Sequence, residues 1–221
     1  MASSDEERLS PQTVKTRLLR EFLGGPLIDN NLRGYFCEAL LGEALAPDFK
    51  IVSGGWNAWD LEFGNPRGSF PDRIRVQVKN SARLQTWHPK HSSGSDCTFN
   101  LSYRKKPIYL KEHPEAVPCE DSGFLCEIFA LCYHHDTSEH ADQGDPAQWK
   151  VFLLPVVGSN PGFSPAELAW LKQKHEKTLK PVFTQRRPQT LLKGIRGRPP
   201  LEPIPAVALT TDHVFRALGL T

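Results

Sequence analysis

An acidic residue and a Q-x-K triplet stand on two neighbouring β-type segments of this chain. Asp60 lies in the segment 58–63, and Gln77 and Lys79 lie at the end of the segment that begins at Arg73. Side chains alternate between the two faces of a strand, so Gln77 and Lys79 share a face, and a twisted hairpin can bring Asp60 onto it. Two oxygen ligands and one ammonium group would then converge, which is what metal-assisted hydrolysis of a phosphodiester requires.

Each of these groups has an expected role in such a site. Mg²⁺ takes oxygen ligands, usually one or two protein carboxylates, with water and phosphate completing its shell. We expect Asp60 to anchor Mg²⁺, with Mn²⁺ as a substitute, and the side-chain oxygen of Gln77 and the carbonyl of Val78 to complete the protein ligands. Lys79 would orient or help to deprotonate the attacking water and offset charge on the phosphate.

The surrounding pattern predicts the elements that must position these residues. Apolar residues at helical spacing predict a helix at 13–23 and a second helix that ends at about Leu45, with Asn30 or Asn31 as its N-terminal cap. Further patterns predict strands at 49–52, 58–63, 73–78, 98–103, 124–133 and 149–157, a helix from Ser164 to about Leu179 and a short helix at 211–218. We therefore predict one α/β domain over 1–221, with a central mixed β-sheet flanked by helices. Its core spans about 28–158, and 159–221 adds a helix and a basic, proline-rich extension.

The second helix, Asp60, a short turn and the strand Val76-Gln77-Val78-Lys79 resemble the core of the PD-(D/E)XK, or restriction-endonuclease-like, nuclease superfamily. The resemblance covers roughly residues 30–81. It implies a helix followed by a three-stranded meander, with a helix glutamate that reaches the metal, and Glu38 matches that glutamate.

Two residues depart from the superfamily pattern. Gln77 stands where an acidic residue is usual, although some members carry glutamine there, and no proline precedes Asp60. A neutral amide removes one negative charge from the site, so we expect weaker metal binding unless Glu38 compensates.

The resemblance implies a Mg²⁺-dependent endonuclease of bacterial restriction or defence type, with double-stranded DNA as the expected substrate and a homodimer as a further expectation. Two alternatives stay open. Gln77 also fits a catalytically inactive nucleic-acid-binding module that keeps the nuclease fold. An unrelated α/β protein could carry Asp60 and Lys79 as an ordinary solvated acid and base on a hairpin.

Two other segments carry donors suited to nucleic acid. Asn80, Ser81, Arg83 and Gln85 follow the strand of Lys79 and can contact phosphate oxygens; an ordinary polar segment at the end of a strand is the alternative. A basic segment from Lys172 to Arg198 contains only one acid, Glu176. Its candidate contacts are Arg186 and Arg187 together with Arg196 and Arg198 of Arg196-Gly197-Arg198-Pro199, which matches the core of an AT-hook. A basic surface loop is the alternative.

The overall composition excludes several classes of protein. A net charge of +2, from 27 basic and 25 acidic residues, is too small to indicate a nucleic-acid partner by itself. No apolar stretch approaches the roughly 18 to 20 residues of a membrane span, and the start lacks the order of a secretory signal, so we expect a cytoplasmic protein without a membrane partner. The five cysteines are never spaced as C-x-x-C, which predicts reduced, mostly buried thiols.

Overall fold

A six-stranded mixed sheet forms the centre of the protein. The computed structural model describes residues 10–52, 58–88, 93–103, 119, 122–159, 161–194 and 200–220. The strands are β1 (Phe49–Ile51), β2 (Leu61–Gly64), β3 (Arg73–Ala82), β4 (Phe99–Tyr103), β5 (Ile128–His134), β6 (Trp149–Pro155), β7 (Val182–Arg186) and β8 (Ile204–Pro205). The helices are α1 (Pro11–Leu23), α2 (Asn30–Ala44), α3 (Pro165–Thr178), α4 (Pro188–Lys193) and α5 (Thr211–Leu218).

The strand order of the central sheet is β1-β2-β3-β5-β6-β8. The first three strands form an antiparallel meander, in which Leu61 pairs with both Ile51 and Val76. β5 runs parallel to β3, and β6 and β8 restore antiparallel pairing. Parallel neighbours need a long crossover, and here that crossover contains β4, which pairs with β7 in a separate two-stranded sheet.

Helix α2 covers the face of the meander. Its first turn is capped by Asp29, whose carboxylate accepts the N–H of Asn31 at 2.9 Å. Cys37 and Leu41 are fully buried in one core with Ile74 and Val76 of β3. Val214 and Leu218 of α5 belong to the same core.

The opposite face of the sheet has its own core. Phe129 and Leu131 of β5 pack there with Leu101 of β4, Leu171 of α3 and Val182 of β7. Because β5 and β6 are covered on both faces, their side chains are apolar in nearly continuous runs, as central strands require. The described parts of 159–220 therefore complete both cores and are not peripheral to them.

The structure confirms an α/β fold with a mixed central sheet flanked by helices. The final helix has the predicted bounds, whereas the cap of the second helix is Asp29 and not Asn30 or Asn31. The proline-rich extension contains two strands, β7 and β8, and a helix, α4, that the sequence pattern did not predict. β7 has one buried aliphatic residue, Val182, so pairing with distant β4 and not local periodicity makes it a strand.

Two further observations bear on the sequence-based expectations. All five cysteines are buried and unbridged, as predicted. Within the described ranges, no helix has the length and apolar character needed to cross a membrane.

A buried ion pair joins β3 to the start of β5. Arg75 and Glu127 are 2% and 3% exposed, and Nη2 of the arginine lies 2.7 Å from Oε1 of the glutamate. The ring of Trp59 lies beneath the guanidinium, with 5.2 Å between Cζ and the ring centroid. The polar face of β3 is therefore packed at this end and not solvated, because each charge is neutralised by its partner.

Removing one member of this pair should destabilise the fold strongly. For Glu127→Ala we expect a loss of about 3 to 5 kcal/mol in the free energy of unfolding, since a buried guanidinium is left without its counterion. Urea unfolding measures the loss. Glu21→Ala, which removes the half-exposed partner of Arg17 on α1, is the matched control and should cost less than about 1 kcal/mol. Equal losses in the two variants would contradict the assigned role of the pair.

Candidate active site

The carboxylate of Asp60 lies against the edge of β3, immediately before β2 begins. Its backbone N–H donates to the carbonyl of Val76 at 2.9 Å, and its Oδ2 accepts the N–H of Val78 at 2.6 Å. β2 pairs with β3 only as far as Leu61 opposite Val76. The Asp60 side chain therefore supplies the acceptor that a longer β2 would have provided, and it reaches the part of β3 that carries Gln77 and Lys79.

Gln77 and Lys79 project from the same face of β3. They lie in register with Phe129 and Leu131 of β5, and both are half-buried. Nε2 of Gln77 donates to the carbonyl of Ala58 across a long 3.5 Å. This contact directs Nε2 of Gln77 toward Ala58. Oε1 of the same amide therefore points away from Ala58.

The carbonyl of Val78 points toward the same edge of β3 as the Asp60 carboxylate. In an extended strand the N–H and C=O of one residue point to the same side, and the N–H of Val78 meets Asp60. The carbonyl of Val78, the predicted main-chain ligand, therefore points toward the edge of β3 that β2 no longer pairs with.

Glu38 and Lys79 both change the pKa of Asp60. Burial raises the pKa of Asp60 from 3.8 to about 6; the positive charge of Lys79 and the Val78 N–H act in the opposite direction, while the negative charge of Glu38 adds to the rise. Glu38 belongs to α2, which packs on the face opposite Lys79. Glu38 and Lys79 therefore belong to elements or faces on opposite sides of the sheet.

This arrangement combines two carboxylates, an amide, a main-chain carbonyl and an ammonium group. In the part of the chain that the structure describes, no three residues of the types His, Cys, Asp and Glu are grouped so that they could hold a metal ion. Only two members of the predicted ligand set, Asp60 and Glu38, are of those types. If all four predicted ligands bind, water and substrate would fill only the remaining positions of the octahedral shell of Mg²⁺.

The segment after Lys79 is tied into the protein. Oδ1 of Asn80 accepts Nε of Arg33, a fully buried residue of α2, at 2.9 Å. Arg83 donates from its guanidinium to the carbonyl of Ser93, and Gln85 donates from Nε2 to the carbonyl of Ala82 at 2.7 Å. Ser81 is half-buried and hydrogen-bonds Cys97. The sequence predicted phosphate-binding donors here, and the structure gives these four residues internal partners.

The described arginines of the basic segment differ in their exposure to solvent. Arg186 is buried: its Nη2 lies 2.7 Å and 2.9 Å from the two carboxylate oxygens of Glu167, and its guanidinium lies 4.8 Å from the ring centroid of Phe163. The expectation that Arg186 contacts nucleic acid is therefore corrected to a packing role. Arg187 is exposed where α4 begins. Arg196 and Arg198 lie outside the described residues.

Sequence reasoning missed two residues that support the site. Arg33 joins α2 to β3 through Asn80, and Glu127 joins β5 to β3 through Arg75. An arginine in the first turn of a helix and a glutamate before a strand are ordinary in sequence. Only the long-range packing reveals what they bind.

Comparisons of this chain with protein-family models, with curated proteins and with solved structures give no match in any of the three.

The raised pKa of Asp60 predicts a pH dependence of stability. A carboxyl group whose pKa is higher in the folded state binds more protons there, so its contribution is present at low pH and is lost as pH rises through about 6. Between pH 7 and pH 4, wild type should gain up to about 3 kcal/mol in the free energy of unfolding relative to Asp60→Asn.

Urea unfolding at a series of pH values in EDTA measures this gain. Asparagine keeps the acceptor for the N–H of Val78, so the variant isolates the charge from the hydrogen bond. If the free energy of unfolding changes with pH in the same way in wild type and Asp60→Asn, the pKa of Asp60 is not raised in the folded protein, and the prediction is wrong.

Proposed function

We propose that the protein is a metal-dependent nuclease with a restriction-endonuclease-like core that hydrolyses phosphodiester bonds. The observation that carries the proposal is the Asp60 carboxylate, held by the N–H of Val78 and within electrostatic reach of Lys79 and Glu38. The order of α2 followed by the antiparallel meander β1-β2-β3 supports it, because that order is what the resemblance implies.

The donor set fits a hard divalent cation. Asp60 and Glu38 would hold Mg²⁺, or Mn²⁺ as a substitute, with Oε1 of Gln77 and the carbonyl of Val78 as neutral ligands. A bound Mg²⁺ polarises phosphoryl oxygens and lowers the pKa of coordinated water. Asp60 contributes a carboxylate that is largely ionised at neutral pH, because its pKa is about 6.

Lys79 supplies the positive charge that a phosphodiester transition state needs. It follows directly after the residue that anchors Asp60, and its charge already stabilises the ionised form of that carboxylate. In the proposed reaction the ammonium group orients the attacking water and offsets negative charge on the phosphate.

The proposed substrate is duplex DNA, and the proposed setting is restriction or defence in the bacterial cytoplasm. The unbridged, buried cysteines are compatible with a reducing compartment. A homodimer remains part of the proposal, since cleavage of both strands of a duplex is simplest with two copies of one site.

A second candidate is a catalytically inactive nucleic-acid-binding module with the same fold. Gln77 favours it, because one carboxylate fewer weakens the hold on a cation. Such a module would bind DNA in a salt-sensitive way, equally with or without EDTA, and would cleave none.

Cleavage assays separate the two candidates. Purified protein should cleave plasmid or oligonucleotide DNA with Mg²⁺ or Mn²⁺, and Lys79→Ala and Asp60→Asn should each lower the rate at least 100-fold, since one general acid–base or charge-stabilising group contributes about that much. Lys50→Ala, on the exposed part of β1, is the matched control and should cleave normally. No cleavage under any of these conditions, or equal activity in all the variants, would defeat the nuclease proposal.

Restoring the usual acid should strengthen metal binding. We expect Gln77→Glu to raise the affinity for Mn²⁺ at least tenfold in calorimetry, because a third carboxylate joins the ligand set. Gln189→Glu adds the same charge at an exposed position of α4 and should leave the affinity unchanged. An equal affinity in wild type and Gln77→Glu would mean that Gln77 does not contact the ion.

A further inference from the structure

Helix α3 exposes an aromatic ring beside lysines on one face. Trp170 is 49% exposed, and Nζ of Lys174 lies 4.9 Å from the centroid of its ring. Lys177 is also exposed, and the spacing i, i+4, i+7 places all three side chains on the same face. We name these three residues the α3 face.

The acids near this helix are directed elsewhere. Glu176 is the one acidic residue between 168 and 187 in the sequence. It raises the pKa of Tyr103, for which burial is the larger cause, so it lies toward β4. Glu167 is engaged by Arg186. Lys180 and Arg187, which are exposed and follow α3, add further positive charge.

The α3 face belongs to the same side of the central sheet as Lys79. Leu171 anchors α3 in the core formed with Phe129 and Leu131, and Gln77 and Lys79 project from β3 in register with those two residues. β4 contacts both β3 and α3.

We propose that the α3 face binds a single-stranded segment of nucleic acid, with phosphates on Lys174 and Lys177 and a base stacked on Trp170. This inference rests on the proposed function for the class of substrate and adds that the substrate is single-stranded where it meets the α3 face. Lysines alone would fit any polyanion. An exposed indole fits a base whose flat surface is accessible, and a duplex hides those surfaces by stacking.

Binding in EDTA tests the inference without cleavage. The probe is a fluorescein-labelled oligothymidylate of about 20 nucleotides, followed by anisotropy at several salt concentrations. Trp170→Ala should weaken binding roughly 5- to 150-fold, the usual contribution of one stacked base, and Trp170→Phe should restore most of it. Lys174→Ala with Lys177→Ala should lower the salt slope by about 1.4, or about 0.7 for each phosphate that the variant no longer neutralises.

Lys172→Ala is the matched control, because Lys172 is exposed on the same helix but points away from the α3 face. It should reduce binding much less than Lys174→Ala. Circular dichroism should show that every variant keeps the fold. Equal losses for Lys172→Ala and Lys174→Ala, or a duplex bound as tightly as oligothymidylate and insensitive to Trp170→Ala, would overturn the inference.

The same variants separate this inference from the proposed function. Normal cleavage of a DNA duplex with a single-stranded overhang, with unchanged KM, in Trp170→Ala would show that the α3 face does not bind the substrate and would leave the nuclease proposal intact. Loss of binding in the α3 variants of a protein that cleaves nothing would support the face and defeat the nuclease. Binding of phosphatidylserine-containing vesicles through these lysines, with no binding of oligothymidylate, would assign the face to a membrane and overturn the inference.

Discussion

The hydrogen bond between the N–H of Val78 and the carboxylate of Asp60 is the contact on which the candidate site depends. It forms where the pairing of β2 with β3 ends, so the Asp60 carboxylate replaces a missing strand partner. The N–H of Val78, which would be costly to leave unpaired, is thereby satisfied. The same bond holds a carboxylate beside Lys79 in a partly desolvated place. The pKa of about 6 is the consequence of that position, because burial disfavours the ionised form.

β3 is held from both sides close to this bond. On one face Arg75 is paired with Glu127 at the start of β5, and on the other Asn80 is bonded to Arg33 of α2. Lys79 lies between these two attachments along the strand. Side chains on a strand with such supports keep their positions without substrate, which is the condition for a site that acts through charge placement. The two buried arginines are thus better understood as supports for β3 than as contributors to net stability.

The sequence was sufficient for the parts of the fold that local patterns determine. The helices α2 and α5 and the meander follow from periodicity, and alternation along β3 predicted that Gln77 and Lys79 share a face. It could not predict that β2 begins one residue after Asp60, because strand ends depend on pairing partners and not on the pattern. Nor could it show that Arg186 and Asn80 have internal partners, since Glu167 and Arg33 reach them only in the folded chain.

Gln77 is better explained by the charge balance of the site than by loss of function alone. Asp60 and Glu38 already repel one another, and burial makes each further negative charge more unfavourable. A third carboxylate at position 77 would raise the pKa of Asp60 further and leave it partly protonated at neutral pH without a cation. With the amide, Asp60 stays largely ionised in the free protein at neutral pH, and in the proposed nuclease the protein alone would hold a cation weakly. In the proposed nuclease the phosphate of the substrate then supplies the missing negative charge, so that cation and substrate bind together.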